Sequence, residues 1–218
     1  MAPAENPSRE RILERIRTAL ESAAPRRQPA GPPGARQIFP PVGDVLERFK
    51  AECKANLTEV IVTHGSEGSA TAIQGVLASL PEGEIYVQDA PEFRSVAQAW
   101  PGRELRWSSE GGPREASQAA LTLAEGLAAA TGSILVSCST GGRGASVVAP
   151  CHIVLARFEQ LMPDLEAVLG YAHEKGIAAH NSFVGLITGT SRTADIQRVL
   201  VIGAHGPRRV VVVLQAGN

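Results

Sequence analysis

The run Thr188-Gly189-Thr190-Ser191-Arg192-Thr193-Ala194-Asp195-Ile196 combines hydroxyls, a glycine and a guanidinium where a strand-like segment gives way to a helix-like one. A helix opening there would present free N–H groups and the positive end of its dipole, which suits a carboxylate or a phosphate. Arg192 would offer a planar fork to either anion. Ser191 and Thr193 would bring hydroxyls to the ligand or cap the helix, and Asp195 would suit its first turn or hold Arg192 in place. Capping alone accounts for the same residues, so both readings stand. Thr131-Gly132-Ser133 offers two hydroxyls around an unshielded amide, fit for an anion or for a turn that needs positive φ. Gly141-Gly142-Arg143-Gly144 lets a guanidinium or backbone amides come close to a ligand, or forms a flexible excursion. In Gly203-Ala204-His205-Gly206-Pro207, His205 reads as a general acid–base or as a donor bracing the loop.

Other chemistries find less support. Three cysteines (Cys53, Cys138, Cys151) occur without a CxxC, and five histidines are scattered without an HExxH. A disulfide scaffold, a self-contained iron–sulfur cluster and an intrinsic metal site are therefore not expected. Cys138 and Cys151 read as small buried hydrophobes rather than nucleophiles, since Cys–His adjacency in sequence is not spatial pairing. The chain has 218 residues and a formal net charge of −1, with 44% hydrophobic and 20% charged residues. That is ordinary globular composition, with no basic excess to recommend nucleic acid or an anionic membrane. No apolar run is long enough to span a bilayer. The first residues mix Arg with Glu5, Glu10, Glu14 and Glu21, unlike transit or secretory leaders, so a cytoplasmic location is expected.

Those loops need a scaffold, and the chain's alternation supplies one. Residues 1–24 hold an amphipathic helix with Ile12, Leu13, Ile16 and Leu20 on one face, and 25–42 form a proline-rich linker. Residues 43–218 read as one α/β domain. Helices are expected at Asp44–Leu57, Glu67–Leu80 (capped by Ser66), Glu92–Trp100, near Arg114–Ala119, at Leu165–Lys175 and at Ala194–Ile202. Strands are expected at Glu59–Thr63, Glu84–Gln88, Leu105–Trp107, Ser133–Ser137, Ile153–Ala156, Phe183–Ile187 and Val210–Leu214. A short apolar segment at Leu121–Leu123 leads into an Ala-rich turn. Strands separated by helices imply a parallel sheet covered on both faces, with ligands at the carboxyl ends of its strands.

The segments Thr131-Gly132-Ser133, Pro150-Cys151-His152-Ile153, Gly189-Thr190-Ser191-Arg192-Thr193-Ala194-Asp195-Ile196 and Gly203-Ala204-His205-Gly206-Pro207 together resemble the lactate-utilisation protein C family, whose members consist of a LUD domain. The resemblance is strongest over Leu127–Leu214. It implies a three-layer α/β fold like the ribose-5-phosphate isomerase and CoA-transferase superfamily. It also implies a part in oxidising L-lactate to pyruvate beside iron–sulfur subunits, the clusters residing in those partners and no cofactor in this chain. Family members commonly carry an acid where this chain has Ala130 and proline where it has Thr190; a catalytic duty of that acid would have been lost or moved to Glu125. Two readings remain. One is a subunit of a lactate-oxidising assembly that binds a small anionic metabolite without independent catalysis. The other is a stand-alone enzyme acting on a phosphorylated metabolite or a CoA ester.

Overall fold

The computed structural model describes residues 7–21, 40–97, 100, 102–110, 116–139, 144–193, 201–203 and 205–217. The chain divides into two compact units, Met1–Ile38 and Phe39–Asn218. In the first, α1 (Pro7–Glu21) carries the apolar stripe expected from its spacing, with Ile12, Ile16 and Leu20 exposed. The proline-rich stretch up to residue 39 lies outside the described residues.

The second unit opens with α2 (Val45–Ala55), whose first turn is capped by the Asp44 carboxylate accepting the Glu47 N–H at 3.0 Å. Phe49 and Cys53, four apart and so on one helix face, are fully buried. Then follow β1 (Thr58–His64), α3 (Gly65–Ala78), β2 (Ile85–Val87), α4 (Pro91–Val96), β3 (Leu105–Trp107), β4 (Ala119–Leu123), β5 (Gly126–Ala128), β6 (Ser133–Ser137), β7 (Cys151–Arg157) and β8 (Leu161–Met162). The chain ends with α5 (Leu165–Glu174), α6 (Ile177–His180), β9 (Val184–Ile187), β10 (Arg192–Thr193), β11 (Val201–Ile202) and β12 (Arg209–Ala216). Six strands form a sheet in the order β1-β12-β7-β4-β2-β3, every neighbouring pair parallel. The interior strand β12, between β1 and β7, buries the uninterrupted run Val210–Leu214, the pattern of a strand covered on both faces.

The α/β class expected from sequence is observed. On one face α3 and α4 pack Ile73, Val76, Leu77 and Phe93 against the sheet. The other face is covered by α2 and by a second, four-stranded sheet in the order β8-β5-β6-β9, with β5, β6 and β9 running antiparallel in turn. Successive residues of this small sheet serve two cores. Leu127, Ile134 and Val136 face the large sheet, while Ala128 and Leu135 meet Val168, Ala172 and Ile177 of α5 and α6.

Several local expectations are corrected. The helix placed near Arg114–Ala119 ends instead in a strand: Ala119–Leu123 is β4, between β2 and β7, and residues 111–115 lie outside the described set. Alanine's helix propensity is overridden there by burial between two neighbouring strands. The Ser133–Ser137 and Phe183–Ile187 strands exist but pair in the small sheet, not the large one. Ser66 does not cap α3, which starts one residue earlier at Gly65 (φ +64°) without a side-chain cap. The helix expected over Ala194–Ile202 is contradicted at its end, where Val201–Ile202 pairs as a strand with Arg192–Thr193; residues 194–200 lie outside the described set. No helix among the described residues is long and apolar enough to cross a membrane.

Candidate functional site

Three of the described residues singled out in the sequence, Thr131, Gly189 and Arg192, meet at Asn56, the residue that closes α2. Its side-chain N–H donates to the Thr131 carbonyl at 3.1 Å, and its side-chain oxygen accepts from Arg192 Nη2 at 3.3 Å. The Ser133 hydroxyl bonds Thr131 Oγ1 at 2.7 Å and Thr188 Oγ1 at 2.8 Å, so these three hydroxyls satisfy one another. Gly132 and Gly189 both hold positive φ, +62° and +81°. A Cβ on Gly132 would lie 2.8 Å from the Cys53 amide nitrogen, and one on Gly189 would overlap the Asn56 carbonyl. Both glycines are thus required by the close approach of the α2 terminus. The Ser191 N–H donates to the Pro207 carbonyl at 3.0 Å, its own carbonyl accepts from Gly203, and Gly206 rests against its Cβ.

This cluster sits at the amino end of the large sheet. Asn56 and Pro207 shortly precede β1 and β12, and the Arg208 N–H bonds Pro150, the residue before β7. His205 is exposed, beside Val147, Val148, Pro150 and Arg208 in a depression of about 510 Å³. Thr193 lies in β10, whereas Arg143 and Asp195 fall outside the described residues. The Thr190 hydroxyl is buried with no partner among the described residues. Arg192 is exposed and braces Asn56.

At the opposite, carboxyl end of the sheet lies a larger concavity that the loop motifs did not indicate. From β1 and β2 the chain leaves to α3 and α4 on one face; from β4 and β7 it leaves to β5 and β8 on the other. Divergence of this kind opens a crevice at the strand ends, where ligands bind in open α/β sheets. The crevice measures about 680 Å³. Its floor is Leu123, the last residue of β4, and Ala124 after it, with Leu155 and Ala156 of β7; its walls are Ser66, Ser69 and Ile73 of α3, Ser95 and Val96 of α4, and Tyr171 and Lys175 at α5.

Its polar groups are mostly fixed. Gln160 laces the floor, accepting the Arg157 N–H and donating to the Ala124 carbonyl, each at 2.7 Å. Ser69 donates to the Gly65 carbonyl and lies 3.3 Å from Gln215 Oε1. Arg157 reaches Glu92 across the mouth at 3.0 Å. Lys175 has no carboxylate partner among the described residues and stands near the Tyr171 ring. Among the described residues neither His nor Cys lines the crevice, and the groups that do are cations, amides and hydroxyls around an apolar floor. The signal that could have found it is Gly65-Ser66-Glu67-Gly68-Ser69, a glycine- and serine-rich helix start directly after the first strand.

The remaining reactive side chains lie elsewhere. His152 is fully buried on β7, its Nε2 2.9 Å from Thr122 Oγ1 and its Nδ1 without a partner among the described residues; burial pushes its pKa down to about 4. Burial also drives the Cys53 thiol up to about 12 and Cys151 to about 11. Cys138, expected to be buried, is half-exposed, with Sγ 3.3 Å from Asn181 Oδ1, and a hydrogen bond with Ser182 lowers its pKa. It closes β6 at the sheet's rim, so it escapes the core that encloses Ile134–Val136. Glu125 accepts the Ser137 hydroxyl at 2.6 Å.

Residues 114–215 match the LUD domain family model. The chain is 26% identical to lactate utilization protein C of Geobacillus sp. (strain WCH70) and 28% identical to that of Geobacillus thermodenitrificans, each alignment covering 78% of either chain. A crystal structure of a DUF162 family protein from Deinococcus radiodurans superposes with a TM-score of 0.61 at 18% identity, covering 78% of this chain and 96% of that one, which establishes a shared fold. Fold, family match and relatives agree: the chain carries a LUD-type domain over residues 114–215 and is similar to the lactate utilization protein C proteins.

Proposed function

We propose that the protein serves L-lactate utilisation as a ligand-binding subunit, acting beside iron–sulfur subunits that carry out the electron transfer, and that its ligand site is the carboxyl-edge crevice. The names of its relatives support the role in lactate utilisation. The observation that carries the site is the 680 Å³ crevice at the point where the chain's crossovers diverge, lined by Arg157 and Lys175. Both cations favour an anionic metabolite, a carboxylate or a phosphate. Among the described residues its lining offers cations, amides and hydroxyls, the groups that hold an anion. The Thr131–Ser133 and Gly189–Arg192 loops then act as the brace that sets α2 against the sheet.

The test is growth on L-lactate of a bacterial strain lacking its own lactate utilization protein C. The wild-type chain should restore growth. Ser66→Trp, which places an indole into the crevice from an exposed position on α3, should fail to restore it while the protein accumulates folded. Normal growth with Ser66→Trp would overturn the assignment of the site.

A further inference from the structure

The crevice is too large for lactate or pyruvate alone. At about 680 Å³ it lies in the middle of the range of sites that enclose drug-sized molecules, whereas a three-carbon acid would leave most of the space to water. The lining is divided as well as large. Leu123, Ala124, Leu155 and Ala156 make a continuous apolar floor, flanked by Ile73 and Val96. Opposite α3 and α4, at the end of α5, stands the Lys175 ammonium, with no carboxylate partner among the described residues. Arg157 adds a second cation, whose one ion pair among the described residues is with Glu92 at the surface. Exposed pairs of this kind exchange cheaply for a better anion. Two cations match the doubly charged state of a phosphate monoester better than the single charge of a carboxylate.

Resting on the crevice as the ligand site, we propose that it takes an organic phosphate with a flat apolar body, the class of the nucleoside phosphates, rather than lactate itself. The ring system lies on the β4–β7 floor between Ile73 and Val96, and the phosphate meets Lys175 and an Arg157 released from Glu92. No bond is made or broken in this step; it is binding.

Calorimetric titration of the full chain with AMP, ATP, inorganic phosphate and L-lactate tests it. AMP or ATP should bind saturably and at least about tenfold more tightly than inorganic phosphate or lactate, because only they fill both halves of the crevice. Lys175→Ala should weaken the nucleoside phosphate by about tenfold, Lys175→Arg should retain most of the affinity, and Ser66→Trp should abolish binding. Lys175→Glu, an exposed charge reversal, gives the same loss without placing bulk in the fold. Absence of nucleoside-phosphate binding overturns the proposal, as does binding no tighter than inorganic phosphate or unaffected by Lys175→Ala and Lys175→Glu. Growth on lactate separates the failures. Loss of growth in Ser66→Trp with no nucleotide binding sinks this ligand class and leaves the site standing; normal growth in that variant sinks the site's role in lactate utilisation, whatever nucleotides do.

Discussion

Acidification should destabilise this protein through His152, by an amount that the structure sets. The imidazole is fully buried between parallel strands, with Thr122 Oγ1 on Nε2 and no partner for Nδ1 among the described residues. Its pKa is about 4 in the fold against 6.5 for a free histidine. Above pH 6.5 both folded and unfolded states hold it neutral and its contribution is fully present. As the pH falls below 6.5 the unfolded chain takes up a proton that the folded chain refuses until about pH 4, so stability is lost across that window. The gap corresponds to about 3 kcal/mol, lost at roughly 1.4 kcal/mol per pH unit. Urea unfolding of the wild type and of His152→Gln at several pH values between 7.5 and 4 would measure it. Glutamine places an amide where Nε2 was and does not titrate. Glu59, Glu84 and Asp89, whose carboxyls are held below their usual range by Arg209, Arg106 and Arg94, also lose stability as pH falls, but equally in both proteins. The wild type should therefore lose about 3 kcal/mol more than the variant over the window. Parallel curves would refute the reasoning.

Gly189→Ala should cost about 3 kcal/mol, combining a left-handed backbone with a Cβ driven into the Asn56 carbonyl, and should lower the melting temperature measured by calorimetry. Asp44→Ala removes the acceptor of the Glu47 N–H and should cost about 1 kcal/mol in urea unfolding, with Asp44→Asn recovering most of it. Arg192→Ala should cost under about 1 kcal/mol, since the guanidinium is exposed and its contact with Asn56 is a single long hydrogen bond.

The scaffold was legible wherever a segment's pattern had one physical cause. Val210–Leu214 is apolar throughout because it is covered on both faces, and Leu165–Lys175 is periodic because one side of it meets the small sheet. Ala119–Leu123 was not legible, because alanine's small volume lets strands close on each other while its intrinsic preference points to helix. Neither was the second sheet: β5 has only three residues, and pairing partners are set by tertiary packing, not by local sequence. Around the candidate loops, the sequence grouped residues that the fold brings together at the end of α2. Gly132 and Gly189 and the hydroxyls near them signal close approach, and the approach is made by α2. The crevice was hidden because its floor consists of ordinary leucines and alanines at strand ends, and its cations, Arg157 and Lys175, belong to no recognisable local pattern.

In the proposed function the ligand is held at the carboxyl edge of the large sheet and the amino-edge loops are a brace. Growth on L-lactate with Ser66→Trp and with Arg192→Ala, compared side by side at matched protein levels, tests this most directly. Ser66→Trp should fail and Arg192→Ala should grow as the wild type does. Growth with Ser66→Trp and failure with a folded Arg192→Ala would contradict it, and would place the functional site at the Asn56 cluster instead.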